Sequence, residues 1–174
     1  MNDSQRAFRQ ALGLFPTGVT IITALDPNGE RLGMTVNSFN TVSLDPPLVL
    51  FSIARNAYSM DALLKAKYYA VNLLDLEQTD LSTRFARALG DKWTDVNYHP
   101  GRSGVPLLDS ALAWFECESH AHHDGGDHVI FVGRVLSYHA NPDGEPLVFF
   151  RGQYNRLYQA APTPSWVEAS MHGW

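Results

Sequence analysis

A mainly β domain, an antiparallel barrel with short flanking helices, is what this chain should form. Three observations carry that expectation. Six or seven runs rich in β-branched and aromatic residues follow one another at close spacing. Turn-forming residues separate them, as at Asp26-Pro27-Asn28-Gly29 and Asp45-Pro46-Pro47. The helical stretches between them are short and do not alternate with every strand, which argues against a doubly wound parallel sheet and for an antiparallel barrel.

The elements follow in order. Ser4 is placed to cap a helix running to about Leu14, with Phe8, Ala11 and Leu12 on one face. Phe15-Pro16-Thr17-Gly18 ends it, and residues 19–25 read as a strand. Asp26-Pro27-Asn28-Gly29 turns the chain into a second strand over residues 31–37. The stretch 33–52 is strand-like but unusually polar, with Thr35, Asn37, Ser38, Thr41 and Ser43. Residues 48–53 are almost continuously apolar, which predicts burial on both faces. A helix is expected over 59–67, capped by Ser59 with Met60, Leu63 and Leu64 inward, then a strand over 68–74. Leu81, Phe85 and Leu89 fall at i, i+4, i+8 and predict a helix over 79–89. Residues 90–106 lack periodicity and read as a long surface loop. Strands over 111–120, 128–139 and 146–151 complete the set. The tail beyond Tyr158, with Trp166 and Trp174, reads as loosely ordered or as docking on a partner.

Bulk properties exclude several function classes. The 174 residues suffice for one domain with a core, and 45% are hydrophobic, which argues against disorder. The net charge of -5, from 13 basic and 18 acidic residues, does not suit nucleic acid as a partner. Cys117 is the one cysteine, so no internal disulfide and no multi-cysteine zinc site can form. No apolar signal core opens the chain and no stretch reaches the ~18 apolar residues of a membrane helix. No membrane and a cytoplasmic location are the expectation. The Rossmann fingerprint, the P-loop and the Gly-x-Ser-x-Gly elbow are all missing.

Four constellations remain. Thr35–Ser38 with Ser52, Ile53, Ala54, Arg55 and Ser59 could hold a phosphorylated cofactor. Such a ligand needs hydroxyl and amide donors, backbone N–H groups and a cation such as Arg55. The same residues also suit plain strand pairing and helix capping, and spacing leaves both readings open. Gly125-Gly126-Asp127-His128 precedes a strand, so the imidazole can face a pocket. A hairpin turn with an exposed histidine is the plainer account and is preferred on spacing alone. His120 and His122 share a strand face, but no carboxylate or cysteine completes a ligand set, and no metal is expected. Tyr154, just past a strand, could reach a flavin or nicotinamide ring, although its neighbours Phe149 and Phe150 read as core.

Taken in order, Phe15-Pro16-Thr17-Gly18-Val19, Gly33-Met34-Thr35-Val36-Asn37-Ser38-Phe39 and Ser43-Leu44-Asp45-Pro46-Pro47-Leu48-Val49 form a series. It continues through Tyr69–Leu74, Leu81-Ser82-Thr83-Arg84-Phe85-Ala86, Gly126-Asp127-His128 with Gly133, and Pro146–Gly152. The series resembles the flavin reductase-like family, the reductase components of two-component flavin-dependent monooxygenases, over roughly residues 6 to 158.

The resemblance implies a six-stranded antiparallel Greek-key barrel, the FMN-binding split barrel, with short flanking helices and working as a homodimer. Residues 1–160 would form this single domain and 161–174 a C-terminal tail. It implies that NADH or NADPH reduces FMN or FAD, and that reduced flavin diffuses to an oxygenase. Hydride would pass from nicotinamide C4 to flavin N5, with the protein stacking and orienting the rings and no acid or base required. By the same resemblance Thr35, Val36, Asn37, Ser38, Ser52, Ile53, Ala54 and Arg55 line the flavin. Ser59, Arg84 and Phe85 lie on its phosphate or adenylate side, His128 docks the nicotinamide nucleotide, and Tyr154 is a further contact. Two other readings stand beside this one. They are a flavoprotein with tightly bound FMN reducing another acceptor, and a non-catalytic flavin- or haem-binding split barrel. Val36 stands where the family often has alanine, and the His122-His123-Asp124-Gly125 stretch departs from its pattern.

Overall fold

A computed structural model describes residues 2–158; the tail over 161–174, with Trp166 and Trp174, lies outside the described residues. The first helix, α1 (Asp3–Leu12), is capped by Asn2 rather than Ser4. Asn2 Oδ1 accepts from the Gln5 amide, and the Gln5 side chain accepts from the Asn2 amide, a reciprocal capping box. Its apolar face is open: Phe8 is 67% exposed and Leu12 59%.

A short β1 (Thr17–Gly18) leads into β2 (Thr20–Leu25), which turns into β3 (Arg31–Val36). The turn is the expected one. Gly29 has φ +84°, and Asp26 Oδ1 accepts from the amides of Asn28 and Glu30. The polar stretch 33–52 is not one strand. It breaks after Val36, forms β4 (Asn40–Leu44), and folds back as β5 (Pro47–Ala54). β5 alternates, with Val49, Phe51 and Ile53 buried and the residues between them half-buried or exposed. Burial on both faces therefore fails. One face meets the barrel interior, and the other, with Leu48, Leu50, Ser52 and Ala54, is only half-buried among the described residues.

Helix α2 (Met60–Lys65) is shorter than expected, and Leu64 faces outward while Met60 and Leu63 are buried. After β6 (Tyr68–Leu73), a 3-10 turn over Leu76–Gln78 leads into α3 (Thr79–Phe85). The helix stops four residues short of Leu89, which is 66% exposed. The expected loop over 90–106 holds structure of its own. β7 (Tyr98–Pro100) pairs with β8 (Pro106–Leu108). Buried Asn72 ties this hairpin down, accepting from the Leu108 amide and donating to Ile21 O and Thr23 Oγ1. Two long strands, β9 (Ala113–Gly125) and β10 (His128–Ala140), precede β11 (Val148–Phe150) and β12 (Gln153–Asn155).

The main sheet has seven strands rather than six, in the order β3-β2-β6-β9-β10-β5-β4, each pair antiparallel. The seventh is β4, the fold-back that the sequence hides inside one polar run. Ser38, just past β3, donates to Ser52 O (3.0 Å) and accepts from the Ser52 amide (2.9 Å). That clasp joins the β3 end of the sheet to β5 and curls the sheet into a barrel. Phe51, Phe131 and Tyr69 fill the interior, with ring centroids 5.1 and 5.2 Å from Phe51. Gly133 makes room for them: a Cβ there would lie 2.7 Å from Tyr69 Oη. A smaller sheet, β1-β11-β12, flanks the barrel beside α1. Among the described residues no helix is long and apolar enough to cross a membrane.

Candidate active site

Three strand ends and two helix ends converge on a cavity of about 460 Å³. β3 and the residues after it contribute Thr35, Val36, Asn37 and Ser38. The C-terminal end of β5 contributes Ser52, Ile53 and Ala54, and Ser59 follows at the start of α2. α3 ends here with Phe85, and β10 begins here with His128. Residues spread over almost a hundred positions thus share one wall, because His128 pairs with Ala54 in the β10–β5 register.

Several of these side chains already have protein partners. Thr35 Oγ1 donates to Ser82 O at 2.6 Å, holding α3 on β3. The Ser38 hydroxyl is used in the barrel clasp. These residues therefore pair elements and also line the cavity. Phe85 is 1% exposed, and its ring lies against Gly33, where a Cβ would approach Phe85 Cε1 to 2.2 Å. Ser59 precedes α2 but makes no capping bond, and a six-residue helix offers little dipole for an anion.

Arg55 does not line the cavity. Its Nε donates to Gly126 O at 2.8 Å and its Nη2 meets Asp124 Oδ1 at 2.5 Å. The guanidinium beside Asp124 holds that carboxyl below its ordinary value. Rather than a free counter-charge, Arg55 is a strap from β5 to the β9–β10 turn. The Arg55 amide adds a bond to Asp127 O at 2.9 Å. The strap sets the position of His128, whose Nδ1 meets Asp127 Oδ1 at 2.7 Å and whose side chain is 43% exposed. Arg84 also faces away from the cavity, donating to Thr94 O at 2.7 Å. Tyr154 lies in a neighbouring cavity, its hydroxyl 2.8 Å from Ser82 Oγ. Of the histidines on β9, His122 packs edge-on against Phe131, with ring centroids 4.7 Å apart.

Sequence reasoning missed Lys92, Arg87 and Asn56, which also line the cavity. Lys92 Nζ donates to Gly33 O at 3.0 Å, and burial lowers its ammonium from the ordinary value. Trp93 anchors this segment, its indole donating to Arg31 O and its ring set edge-on to Phe85 at 5.0 Å. Lys92 gave no periodic signal, because the segment holding it follows no helix or strand pattern. The composition of the cavity fits a flavin. Val36, Ile53 and Ala54 give apolar walls, Asn37 and Ser59 give polar groups, and Lys92 and Arg87 give cations for a phosphate.

Comparison with known proteins identifies a family. The family model described as "Flavin reductase like domain" matches residues 12–158. The chain is 47% identical over 155 residues to the FMN reductase (NADH) SmoA of Agrobacterium fabrum, covering 89% of this chain and 87% of that protein. It is 38% identical over 160 residues to the flavin-dependent monooxygenase reductase subunit HsaB of Rhodococcus jostii, covering 92% and 82%. A solved structure of the Streptomyces globisporus NADH:FAD oxidoreductase SgcE6, in complex with NAD and FAD fragments, superposes with a TM-score of 0.86. It is 35% identical and spans 93% of this chain and 98% of that one. Some other curated relatives are longer, and the chain spans about half of their length.

Proposed function

The chain belongs to the flavin reductase-like family, and from that premise we propose how its residues carry out NAD(P)H-dependent flavin reduction for a partner monooxygenase component. The observation that supports the reading is convergence. Thr35–Ser38, Ser52–Ala54, Phe85 and His128 are far apart in sequence and meet at one cavity.

When bound, the two nucleotides supply the hydride chemistry themselves. The chain's task is to bind, orient and release. Val36, Ile53 and Ala54 would flank the flavin ring, with Asn37 and Ser59 meeting its polar edge or ribityl chain. Lys92 and Arg87 would meet its phosphate. His128, held by Asp127 and by the Arg55 strap, would dock the nicotinamide nucleotide on the open side. Positioning two rings against each other is a rate effect of proximity, and it needs no proton donor from the protein.

We read residues 1–160 as one domain with an appended tail. Cys117, a buried thiol pushed up to about 12 by burial, suits a reducing, cytoplasmic setting. A homodimer would cover surface that a single copy leaves open, including Val42 and Leu44 on β4. Sedimentation should then give twice the 19.4 kDa chain mass; a single-copy mass would remove the dimer.

The test of function mixes purified protein with NADH and added FMN, FAD or riboflavin and follows loss of nicotinamide absorbance. Turnover that scales with free flavin is the expected result. A yellow protein slow with free flavin would point to tightly bound FMN and another acceptor. No oxidation with any flavin would leave a binding protein only.

A further inference from the structure

Helix α1 is two-faced, yet none of its residues is buried. Phe8 and Leu12 stand one turn apart on its apolar side, both exposed. Leu14 and Phe15, also exposed, continue that surface past the helix end. Ten residues fall short of the ~12–15 that make an isolated helix even marginal in water, so α1 depends on what packs against it. Among the described residues it is held at its ends. The capping box holds one end, and at the other the Arg151 amide donates to Gly13 O at 2.9 Å.

The far end of the chain comes to the same edge of the molecule. β12, just after Arg151, pairs with β11, and β11 pairs with β1, which follows α1. Tyr154 of β12 lines a cavity of about 1070 Å³ together with Arg6, Arg9 and Leu12 of α1. From β12 the chain runs on into residues 159–174, which lie outside the described residues. In sequence that tail carries Trp166, Val167, Met171 and Trp174, with Glu168 as its acidic group and no lysine or arginine. At ~3.3 Å per residue Trp166 can lie up to roughly 35 Å from Asn155, more than twice the ~15 Å length of α1. The family model covers residues 12–158, so nearly all of α1 and the whole tail fall outside it. Two segments beyond the shared domain, from opposite ends of the chain, thus start from one edge of it.

We propose that residues 159–174 fold back onto α1 of their own chain, with Trp166 on the Phe8–Leu12 face and Glu168 beside Arg9. Removing two apolar surfaces from water drives the docking. Charge fixes its register. Among the described residues Arg9 and Arg151 meet no carboxylate within 4.0 Å, and a carboxylate carried by the tail suits a guanidinium. A second copy of the chain is the competing occupant of this face. The tail is favoured because its tether holds it near α1 at an effective concentration on the order of millimolar.

Hydrogen exchange of the α1 amides reads the docking in the full chain, in full-length Trp166→Ala and in a chain ending at Tyr158. The β2 amides report whether the barrel is intact. α1 should exchange roughly tenfold faster in both variants than in the full chain, with β2 unchanged. Should the shortened chain lose β2 protection as well, Trp166→Ala decides alone. Glu168→Lys should speed α1 exchange roughly twofold to fivefold, and an unchanged rate would overturn the pairing with Arg9. Equal α1 rates in the full chain and both variants would overturn the docking itself. Slow exchange in all of them would assign the face to a second copy. Ala11→Cys combined with Ser165→Cys and a bis-maleimide separates the two occupants, since Cys117 is buried and out of reach. A link within one chain is the expected product. A link between two chains, or none, would overturn the proposal.

Discussion

His128 shows how much a single side chain can be asked to do. Its ring meets Asp127 on one side and the cavity on the other, and the Asp127 carboxyl is held below its usual range by that contact. The backbone pairing with Ala54 sets its height in the barrel, and the Arg55 strap with Asp127 fixes its side chain. On the proposed docking, replacing it with alanine removes surface for the nicotinamide nucleotide and leaves the walls formed by Val36, Ile53 and Ala54 intact. His128→Ala should raise the KM for NADH by roughly tenfold and leave the flavin Kd within about twofold. Steady-state kinetics and a flavin titration check this, and equal losses in both would refute the division of roles. Lys92 carries the opposite lesson. Nothing adjacent to it in the chain marks it, yet its ammonium is partly desolvated at the cavity that His128 lines.

Between elements, polar side chains serve as ties. Glu116 on β9 is 1% exposed and holds the turn between β7 and β8. It accepts from the Ser103 amide and hydroxyl at 2.6 Å, the Arg102 amide at 3.2 Å and the Ser137 hydroxyl at 2.8 Å. Burial alone would raise its pKa; these donors outweigh burial and hold the carboxyl below its ordinary value. A folded pKa below the unfolded one, near ~4.3, adds stability at higher pH that is lost as pH falls through and below that value. Glu116→Gln should lower unfolding free energy at neutral pH by about 1–3 kcal/mol and flatten the acid limb. Denaturant titrations at pH 7 and pH 4 read both effects, and an unchanged acid limb would dismiss this role for Glu116. The Arg55 strap is of the same kind but exposed, so it contributes little to stability and more to where the Asp127-His128 pair sits.

For the whole molecule, the question is what closes the sheet. Hydrophobic alternation builds each strand, and the Ser38–Ser52 clasp adds a hydrogen-bonded link between the β3 end and β5. Ser38→Ala should cost about 1–2 kcal/mol of stability and weaken flavin binding at the same time, since the clasp and the cavity wall are one structure. Thermal melts with and without flavin would reveal it; a loss of stability with unchanged flavin affinity would separate the two. Strands, turns and the apolar interior were legible in the chain, because alternation and turn chemistry are local properties. The helices expected over 59–67 and 79–89 are shorter in the structure, because tertiary contacts end elements that local propensity would extend. Of the segments that the family motifs mark, Thr35–Ser38, Ser52–Ala54 and His128 share one cavity. By itself, then, the sequence determined a β barrel and the stretches that could hold a flavin. Only the tertiary structure decided that Arg55 is a strap, that Thr35 and Ser38 have partners, and that Lys92 and the arginines of α1 face the cavities. The physical reason is that a side chain's hydrogen-bonding capacity is written locally. What satisfies it depends on which distant strand comes alongside, as β10 does beside β5 at Ala54 and His128.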